Sequence, residues 1–187
     1  MLGLDRNVLA AAIAIAVLTL FASVAIAQSS VYQSKPEFLT ESLGTAQPQS
    51  DVIWFDDELR ALATEVLGHP PGMMRMRYWY DGPRTAWIVD EVGKEKPITL
   101  GIVIQNGEIQ QMNVLQFRES RGWEIRYPFF TDQFDGVRLD KNDRLSERID
   151  GITGATLSVR AATRSANLAL VLSEHIRQPS QETITAP

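Results

Sequence analysis

Two stretches of the chain place their apolar residues three and four positions apart, which is the spacing of an amphipathic helix. The first covers residues 51–67, contains several aspartates near its start and ends before Gly68 and two prolines. The second covers residues 156–176 and carries valine, alanine and leucine on its apolar face. The pattern therefore predicts one helix early in the chain and a longer helix near its end.

Between these helices the apolar residues follow the shorter spacing of β-strands. Residues 76–80 and 85–91 are rich in β-prone side chains and flank an Asp-Gly-Pro turn sequence. Residues 98–104 and 108–118 flank Asn106-Gly107, which is the strongest short-range signal for a hairpin. The sequence therefore predicts two β-hairpins.

The order of these elements predicts an α+β fold, with a central antiparallel sheet of hairpins flanked by helices. We assign the folded domain to residues 51–177, including a loop-rich stretch over residues 119–148. Residues 28–50 are rich in Gln, Ser, Thr and Pro and are predicted to form a linker. Residues 178–187 are polar and are predicted to form a flexible tail.

The N-terminal part of the chain contains an uncharged apolar run over residues 8–27. A helix of this length spans about 30 Å, which matches the hydrocarbon core of a bilayer. The run also ends in Ala25-Ile26-Ala27 before Gln28, the small-residue pattern of a signal-peptide cleavage site. Residues 1–27 are therefore predicted to be either a signal peptide or a transmembrane anchor. Both predict that the following domain is exported to the periplasmic side of the cytoplasmic membrane.

Composition excludes several kinds of site. The chain has no cysteine, which rules out disulfides, thiolate metal sites and a cysteine nucleophile, and its two histidines are far apart, so no metal site is predicted. The net charge is −5, from 23 acidic and 18 basic residues, and no basic run could follow a phosphate backbone. Nucleic acid is therefore not an expected partner.

The stretch with the most chemical information is residues 150–158, which reads DGITGATLS and leads into the last predicted helix. Gly151 and Gly154 allow backbone conformations and close approaches that side chains would block. The first turn of a helix offers unpaired N–H groups and a partial positive charge, both of which suit a phosphate. Hydroxyl groups are added by Thr153, Thr156 and Ser158. The residues alone leave open both a phosphate site and a simple helix cap.

The run from Asp150 to Thr156 resembles the flavinylation signature of the FMN-binding domain family. This family includes periplasmic flavin subunits of the sodium-pumping NADH:quinone oxidoreductase and of the Rnf electron-transport complex. In those proteins the last threonine of an (S/T)-G-A-T element carries FMN through a phosphoester bond. An exported flavin transferase attaches it, with FAD as the donor and a divalent metal as a requirement.

The resemblance implies that Thr156 carries FMN covalently. It makes the surrounding signature a cofactor-binding segment, with the candidate residues Asp150, Gly151, Thr153, Gly154, Ala155, Leu157 and Ser158. The basic side chains of Lys94 and Arg121 could balance a phosphate or a flavin anion, or could simply be solvated surface charges.

The resemblance continues upstream of the signature. Residues 90–99 resemble the family's segment that enters its central hairpin, and residues 114–123 resemble a strand ending in His-x-Glu-Thr-Pro-Gly-Leu-Gly. The positions that match are Glu119, Ser120 and Gly122. The positions that depart are Phe117, Arg121 and Glu124. These departures favour a stand-alone or differently partnered FMN-binding protein. Glu119 and Ser120 are candidates to contact the flavin ring or ribityl chain, with a solvated strand end as the alternative.

Together these observations predict an exported electron-transfer flavoprotein, acting as a redox carrier or as a subunit of a membrane-associated system. The flavin would supply the redox chemistry, and no catalytic residue is assigned. The expected partners are an exported flavin transferase and redox proteins bound to the membrane. Two alternatives stay open: a non-catalytic exported binding module, in which the Thr-Gly-Ala-Thr loop only caps a helix, and a flavin-dependent reductase of a small acceptor.

Overall fold

The computed structural model describes residues 30–177, which are organised around a six-stranded antiparallel sheet. The strands are β1 (Ser30–Val31), β2 (Gln49–Trp54), β3 (Arg75–Asp81), β4 (Arg84–Val92), β5 (Pro97–Gln105) and β6 (Glu108–Phe117). Their order across the sheet is β1-β6-β5-β4-β3-β2, so that β2 to β6 follow one another as a meander. The predicted α+β class and antiparallel sheet are confirmed.

Helices cover both faces of this sheet. They are α1 (Lys35–Leu43), α2 (Asp57–Leu67), the single-turn α3 (Pro128–Thr131) and α4 (Thr156–Arg177). Two short 3-10 helices, Trp123–Arg126 and Asp132–Phe134, lie on either side of α3. The loop-rich stretch predicted after β6 therefore contains only short helical turns between longer loops.

The main core lies between α4 and one face of the sheet. The helix packs across β4 and β5 through small residues, and Ala162, Ala166 and Ala169 are completely buried. Alanine allows the helix axis to approach the strands closely, and the space that remains is filled by large side chains such as Trp87 and Phe134. This packing holds the N-terminal end of α4 in a fixed position beside the sheet.

The opposite face of the sheet is covered by α1, which corrects the prediction of a linker over residues 28–50. Phe38 is fully buried and packs directly on Gly101, where an added Cβ would come within 2.6 Å of the ring. The helix begins with a capping box, in which the hydroxyl of Ser34 accepts from the backbone N–H of Glu37 and the Glu37 carboxylate accepts from the N–H of Ser34. The segment is thus part of the folded domain.

The helix predicted over residues 51–67 is wrong in its first part. Residues up to Trp54 belong to β2, and the helix begins only after Asp56, whose side chain accepts a hydrogen bond from the backbone N–H of Leu59 at 2.8 Å. The strand forms because its residues pair with β3 over their whole length. The predicted end is confirmed, since Gly68 closes the helix in the left-handed conformation.

Both predicted hairpins are confirmed. The second one turns at Asn106-Gly107, where both residues have positive φ, as a two-residue turn of this type requires. The predicted last helix also begins at Thr156, as the sequence indicates.

The predicted leader and tail, residues 1–27 and 178–187, lie outside the described residues. Within residues 30–177, no helix is both long and apolar enough to cross a membrane.

Candidate functional site

The end of β6 and the start of α4 come together around an open cleft of about 600 Å³. The residues that line it are Lys94, Glu119, Ser120, Arg121, Gly154, Ala155, Thr156, Leu157 and Ser158. Two predicted candidate segments, residues 119–120 and residues 154–158, lie at least 34 positions apart in the sequence and therefore share one site only in the fold. The tertiary structure brings the two segments together because α4 packs across the sheet, which places its first residues beside the loop that follows β6.

Thr156 is the first residue of α4 and is exposed to the cleft. Its hydroxyl has no hydrogen-bond partner among residues 30–177. Just before it, the backbone N–H of Ala155 donates to Ile152 at 3.0 Å, and Gly154 takes the left-handed conformation with φ 84°. This tight turn leaves the Thr156 side chain at the open end of the helix. The site therefore offers a free hydroxyl beside the positive end of the helix dipole.

The hydroxyls of the loop do not act as helix caps in this structure. Across the described part of the chain, no hydrogen bond joins the side chain of Thr153, Thr156 or Ser158 to a backbone N–H of α4. The first helical bond comes instead from the main chain, where Val159 donates to the carbonyl of Ala155 at 2.9 Å. The geometry gives the capping alternative no support.

Glu119 binds the loop between β4 and β5. Its Oε1 accepts three backbone hydrogen bonds, from Lys94 at 2.5 Å, Glu95 at 2.6 Å and Lys96 at 2.9 Å. Gly93 makes room for this contact, because a Cβ there would meet the carboxylate oxygen at 3.1 Å. The predicted contact of Glu119 with the flavin stays a prediction, but the alternative of a solvated charge does not describe this oxygen. It holds in place the loop that carries Lys94 into the cleft.

The environment of Glu119 favours its charged form. Partial burial raises the pKa of this carboxyl, but the three backbone hydrogen bonds and the nearby Lys94 outweigh burial and hold the pKa below its ordinary value. Glu119 is therefore ionised at neutral pH, and the oxygen that it directs at the loop is fully used. The acidic residue in the cleft is thus a structural anion that does not compete with a phosphate for the N–H groups of α4.

Two cations complete the electrostatics of the cleft. Lys94 lies in the bound loop and forms an exposed ion pair with Glu95 at 3.2 Å. Arg121 lies on the other side, after the predicted residues Glu119 and Ser120, and is exposed. With the helix dipole, these side chains give the cleft positive groups on two sides, which suits an anionic ligand.

Gly122 controls how closely the strand end approaches α4. Its backbone has φ 88°, and a Cβ at this position would overlap the hydroxyl of Ser158 and contact Ala155 at 3.5 Å. The predicted candidate Ser158 is buried by this contact. The resemblance gave Gly122 no physical role, and only the fold shows that its missing side chain lets the chain lie directly against the start of α4.

Three predicted candidates do not line the cleft. Asp150 is exposed, and its backbone N–H donates to the side chain of Gln133 at 2.7 Å. Gly151 and Thr153 are also exposed and lie in the turn that leads to Thr156. Their predicted place in the cofactor-binding segment therefore stays a prediction.

One exposed apolar side chain lines the cleft, and two others lie close in the chain to residues that line it. Leu157 lines it and is 41% exposed, and Val92, just before the bound loop, is 54% exposed. Trp123 follows Gly122 and is partly exposed, whereas Trp87 is fully buried beneath Tyr78 and is a core residue. A flat aromatic ligand could lie on this apolar rim with its charged end at the helix.

Comparison with known families now adds to this geometry. Residues 93–171 match the sequence profile of the FMN-binding domain. Through this segment, the chain is similar to the FMN-binding domain family. The segment begins at Gly93, next to the loop held by Glu119, and contains every residue that lines the cleft. No curated protein matches the chain significantly.

The residues of the cleft fit the cofactor that the FMN-binding domain implies. FMN has a phosphate at one end and a flat apolar ring system at the other. The open hydroxyl of Thr156, the start of α4 and the two cations suit the phosphate, and the exposed rim around Leu157 suits the ring. The family and the site together support FMN as the cofactor of this protein.

Proposed function

We propose that this FMN-binding protein is an exported electron-transfer flavoprotein in which FMN is joined by a phosphoester bond to Thr156. The observation that carries the proposal is the free hydroxyl of Thr156 at the open start of α4, within the family segment and facing a cleft of about 600 Å³. A hydroxyl in this position is accessible to a transferase and already lies where a phosphate is favoured.

The attachment would need an exported flavin transferase with FAD as the donor. The oxygen of Thr156 would bond to the phosphorus of the FMN half, the bond to the AMP half would break, and the threonine proton would be lost as AMP leaves. The chain's own residues would receive the charged phosphate with the N–H groups of α4 and with Lys94 and Arg121. Glu119 would keep the Lys94 loop in place during this step.

Bound FMN would exchange one or two electrons, and the protein would position it and exclude other reactions. The cleft is open, so the ring would be accessible to a protein partner at the exposed rim that includes Val92 and Leu157. An uncharged run at residues 8–27 would export the domain and, if retained, would hold it at the membrane beside such partners. We therefore infer a redox carrier or a redox subunit of a membrane-associated system.

A pair of threonine variants tests the attachment. The full chain is expressed with an exported flavin transferase, and the denatured protein is examined for flavin fluorescence on a gel. Thr156→Ala is expected to abolish the signal, because the bonding oxygen is absent. Thr40→Ala removes an exposed hydroxyl that lies outside the signature and is expected to keep it. Trypsin would release residues 149–160 as one peptide, whose mass should rise by one FMN less one water.

The outcomes separate the alternatives. Flavin that is lost on denaturation would contradict the covalent bond but leave FMN binding intact. A signal that moves to another hydroxyl, or that persists in Thr156→Ala, would contradict the assignment of the site. Rapid turnover of a small acceptor by the loaded protein would favour the reductase over the carrier.

A further inference from the structure

A second groove of about 600 Å³ lies along the outer edge of β6, away from the cleft at Thr156, which we call the flavin cleft. We call it the β6-edge groove. The edge is formed by residues 110–114, and the two walls are α1 with Glu37 and Glu41, and the segment after α3 with Asp132 and Asp135. None of the residues lining this groove lines the flavin cleft. It therefore needs an explanation of its own.

The edge of β6 is paired at both ends but not in its middle. At one end β1 pairs with only two of its residues, Gln116 and Phe117, and then leaves the sheet after Tyr32. At the other end Ile109 exchanges hydrogen bonds with Gly136 and Val137 at 2.8 and 2.9 Å. Between these points, residues 110–114 have no backbone partner on the side away from β5 within the described part of the chain. This gap is about 17 Å long, which is the room of a five-residue strand.

The sequence of this edge lacks the usual protection against strand pairing. Natural edge strands are commonly protected by Lys, by Pro or by being very short. Residues 110–114 read QQMNV and have none of these features. Their amide side chains extend the polar surface of the groove, as Gln111 donates to Asn113 and Asn113 donates to Gln33. The edge is therefore open to another extended backbone.

Both walls of the groove are acidic. Glu37 and Glu41 lie on the face of the sheet that α1 covers, and Asp132 and Asp135 lie on the opposite face. The one cation among the lining residues is Arg126, whose guanidinium stacks on Tyr32 at 4.5 Å and on Tyr127 at 4.9 Å. Four carboxylates against one arginine make the groove attractive to positive charge.

Asp135 lies in surroundings that disfavour its charged form. Burial, followed by the neighbouring charge of Asp132, raises the pKa of Asp135 above its ordinary value. A cation placed between these two groups would relieve that repulsion. Side chains of a strand added to β6 alternate between the two faces, so neighbouring residues of that strand would meet opposite acidic walls.

We propose that the β6-edge groove binds an extended segment of a partner protein that carries lysine or arginine, and that this segment adds to the sheet as a strand beside β6. The unpaired backbone supplies affinity that is independent of sequence, and the acidic walls select basic side chains. A small cation or a sugar would use the walls or the amides but not the row of backbone groups, so the free edge favours a peptide.

The proposal is tested by measuring how tightly peptides bind to the purified full-chain protein. The probe is a fluorescein-labelled hexapeptide, Lys-Lys-Val-Lys-Lys-Val, whose neighbouring lysines face both walls, and its binding is measured by fluorescence anisotropy. It is expected to bind at least about tenfold more tightly than the same peptide with Glu in place of Lys. N-methylation of every second residue should weaken binding at least about tenfold, because it blocks pairing with β6. In hydrogen exchange, the amides of residues 110–114 should become slower when peptide is present.

Charge variants locate the site. The double variant Glu41→Gln, Asp132→Asn removes one carboxylate from each wall and is expected to weaken the Lys peptide about tenfold. The matched control Glu65→Gln, Glu147→Gln removes two exposed carboxylates outside the groove and should change binding less than about twofold. Equal binding of the Glu peptide or of the N-methylated peptide would overturn the proposal. So would displacement of the peptide by spermine or maltopentaose at comparable concentration.

Discussion

Gly122 shows how a single residue joins the two halves of the flavin cleft. Its left-handed backbone lets the chain pass directly over Ser158 at the start of α4. A side chain here would push the segment that follows β6 away from the start of α4. The close contact with Ser158 is a steric effect. It can be measured separately from the free-energy cost of the left-handed backbone by comparison with another glycine of positive φ.

Gly122→Ala is expected to destabilise the protein more than Gly136→Ala. Both glycines have positive φ, so both variants pay about 1–2 kcal/mol for a left-handed alanine. Only at Gly122 does the added Cβ overlap a neighbour, whereas Gly136 has nothing within 4 Å. The overlap should add about 1–3 kcal/mol, measured by urea unfolding. Equal losses in the two variants would contradict the proposed steric role of Gly122.

Glu119 contributes to the stability of the folded protein in a way that depends on pH. Because its pKa is lower in the folded protein than in the unfolded chain, its charge stabilises the fold above its ordinary pKa near 4.5. This stabilisation is lost as the pH falls through that value toward the lower folded pKa. Glu119→Gln should therefore lower stability at neutral pH and flatten its decline in acid, when thermal unfolding is followed against pH. The exposed Glu147→Gln serves as the control and should follow the native protein.

The role of Glu119 could not be predicted from its own neighbourhood in the sequence. Its three donors lie 23 to 25 positions earlier in the chain. They reach the carboxylate only because β5 and β6 pair and return the chain to the same end of the sheet. A strand-end glutamate therefore looks like a solvated charge until the pairing is known.

At the scale of elements, α1 is the helix that the polar composition of its segment did not predict. The helix contributes only a few apolar side chains, and the residues around it are polar. Its start, however, carries a local signal in Ser34 and Glu37, the capping box, followed by buried Phe38. The helix is held because the second face of the sheet would otherwise expose Val103 and Leu115 to water.

Phe38→Ala tests whether α1 is an essential part of the domain. Removing this fully buried ring should cost about 3–5 kcal/mol in the free energy of unfolding, since it leaves a cavity above Gly101. Thr40→Ala, on the exposed side of the same helix, should change stability by less than about 0.5 kcal/mol. Urea unfolding measures both. If the two variants were equally stable, the segment would behave as the linker that its composition suggests.

At the scale of the whole molecule, the two proposed functions lie in separate grooves: FMN in the flavin cleft and a partner strand in the β6-edge groove. The flavin cleft lies at the end of β6, and the β6-edge groove runs along the same strand toward its other end. A partner strand seated on β6 would therefore be continuous with the element that leads to Glu119 and Ser120. This arrangement would place a redox partner close to the flavin without covering the cleft.

Export of the whole chain is the last expectation. A fusion to alkaline phosphatase, which becomes active only after it leaves the cytoplasm, is expected to be active with the full leader. Deletion of residues 8–27 should abolish that activity, because the apolar run is the predicted export signal. The mass of the mature protein would then distinguish cleavage after Ala27 from a retained anchor. Activity of the deleted form would contradict the prediction.

The sequence by itself determined the elements whose signals are local. The hairpin at Asn106-Gly107, the last helix starting at Thr156 and the signature in front of it all depend on residues within one turn or strand. The family could be inferred for the same reason, since its signature is a continuous run that a sequence displays directly.

Only the tertiary structure decided what these elements do together. It converted residues 51–54 from helix to strand, because a six-residue pairing with β3 outweighs local helix signals. It also placed Ser120 beside Thr156 and left the middle of β6 without a partner. Each of these outcomes depends on contacts between residues far apart in the chain, and such contacts form only when burial of the two faces of the sheet fixes how the elements pack.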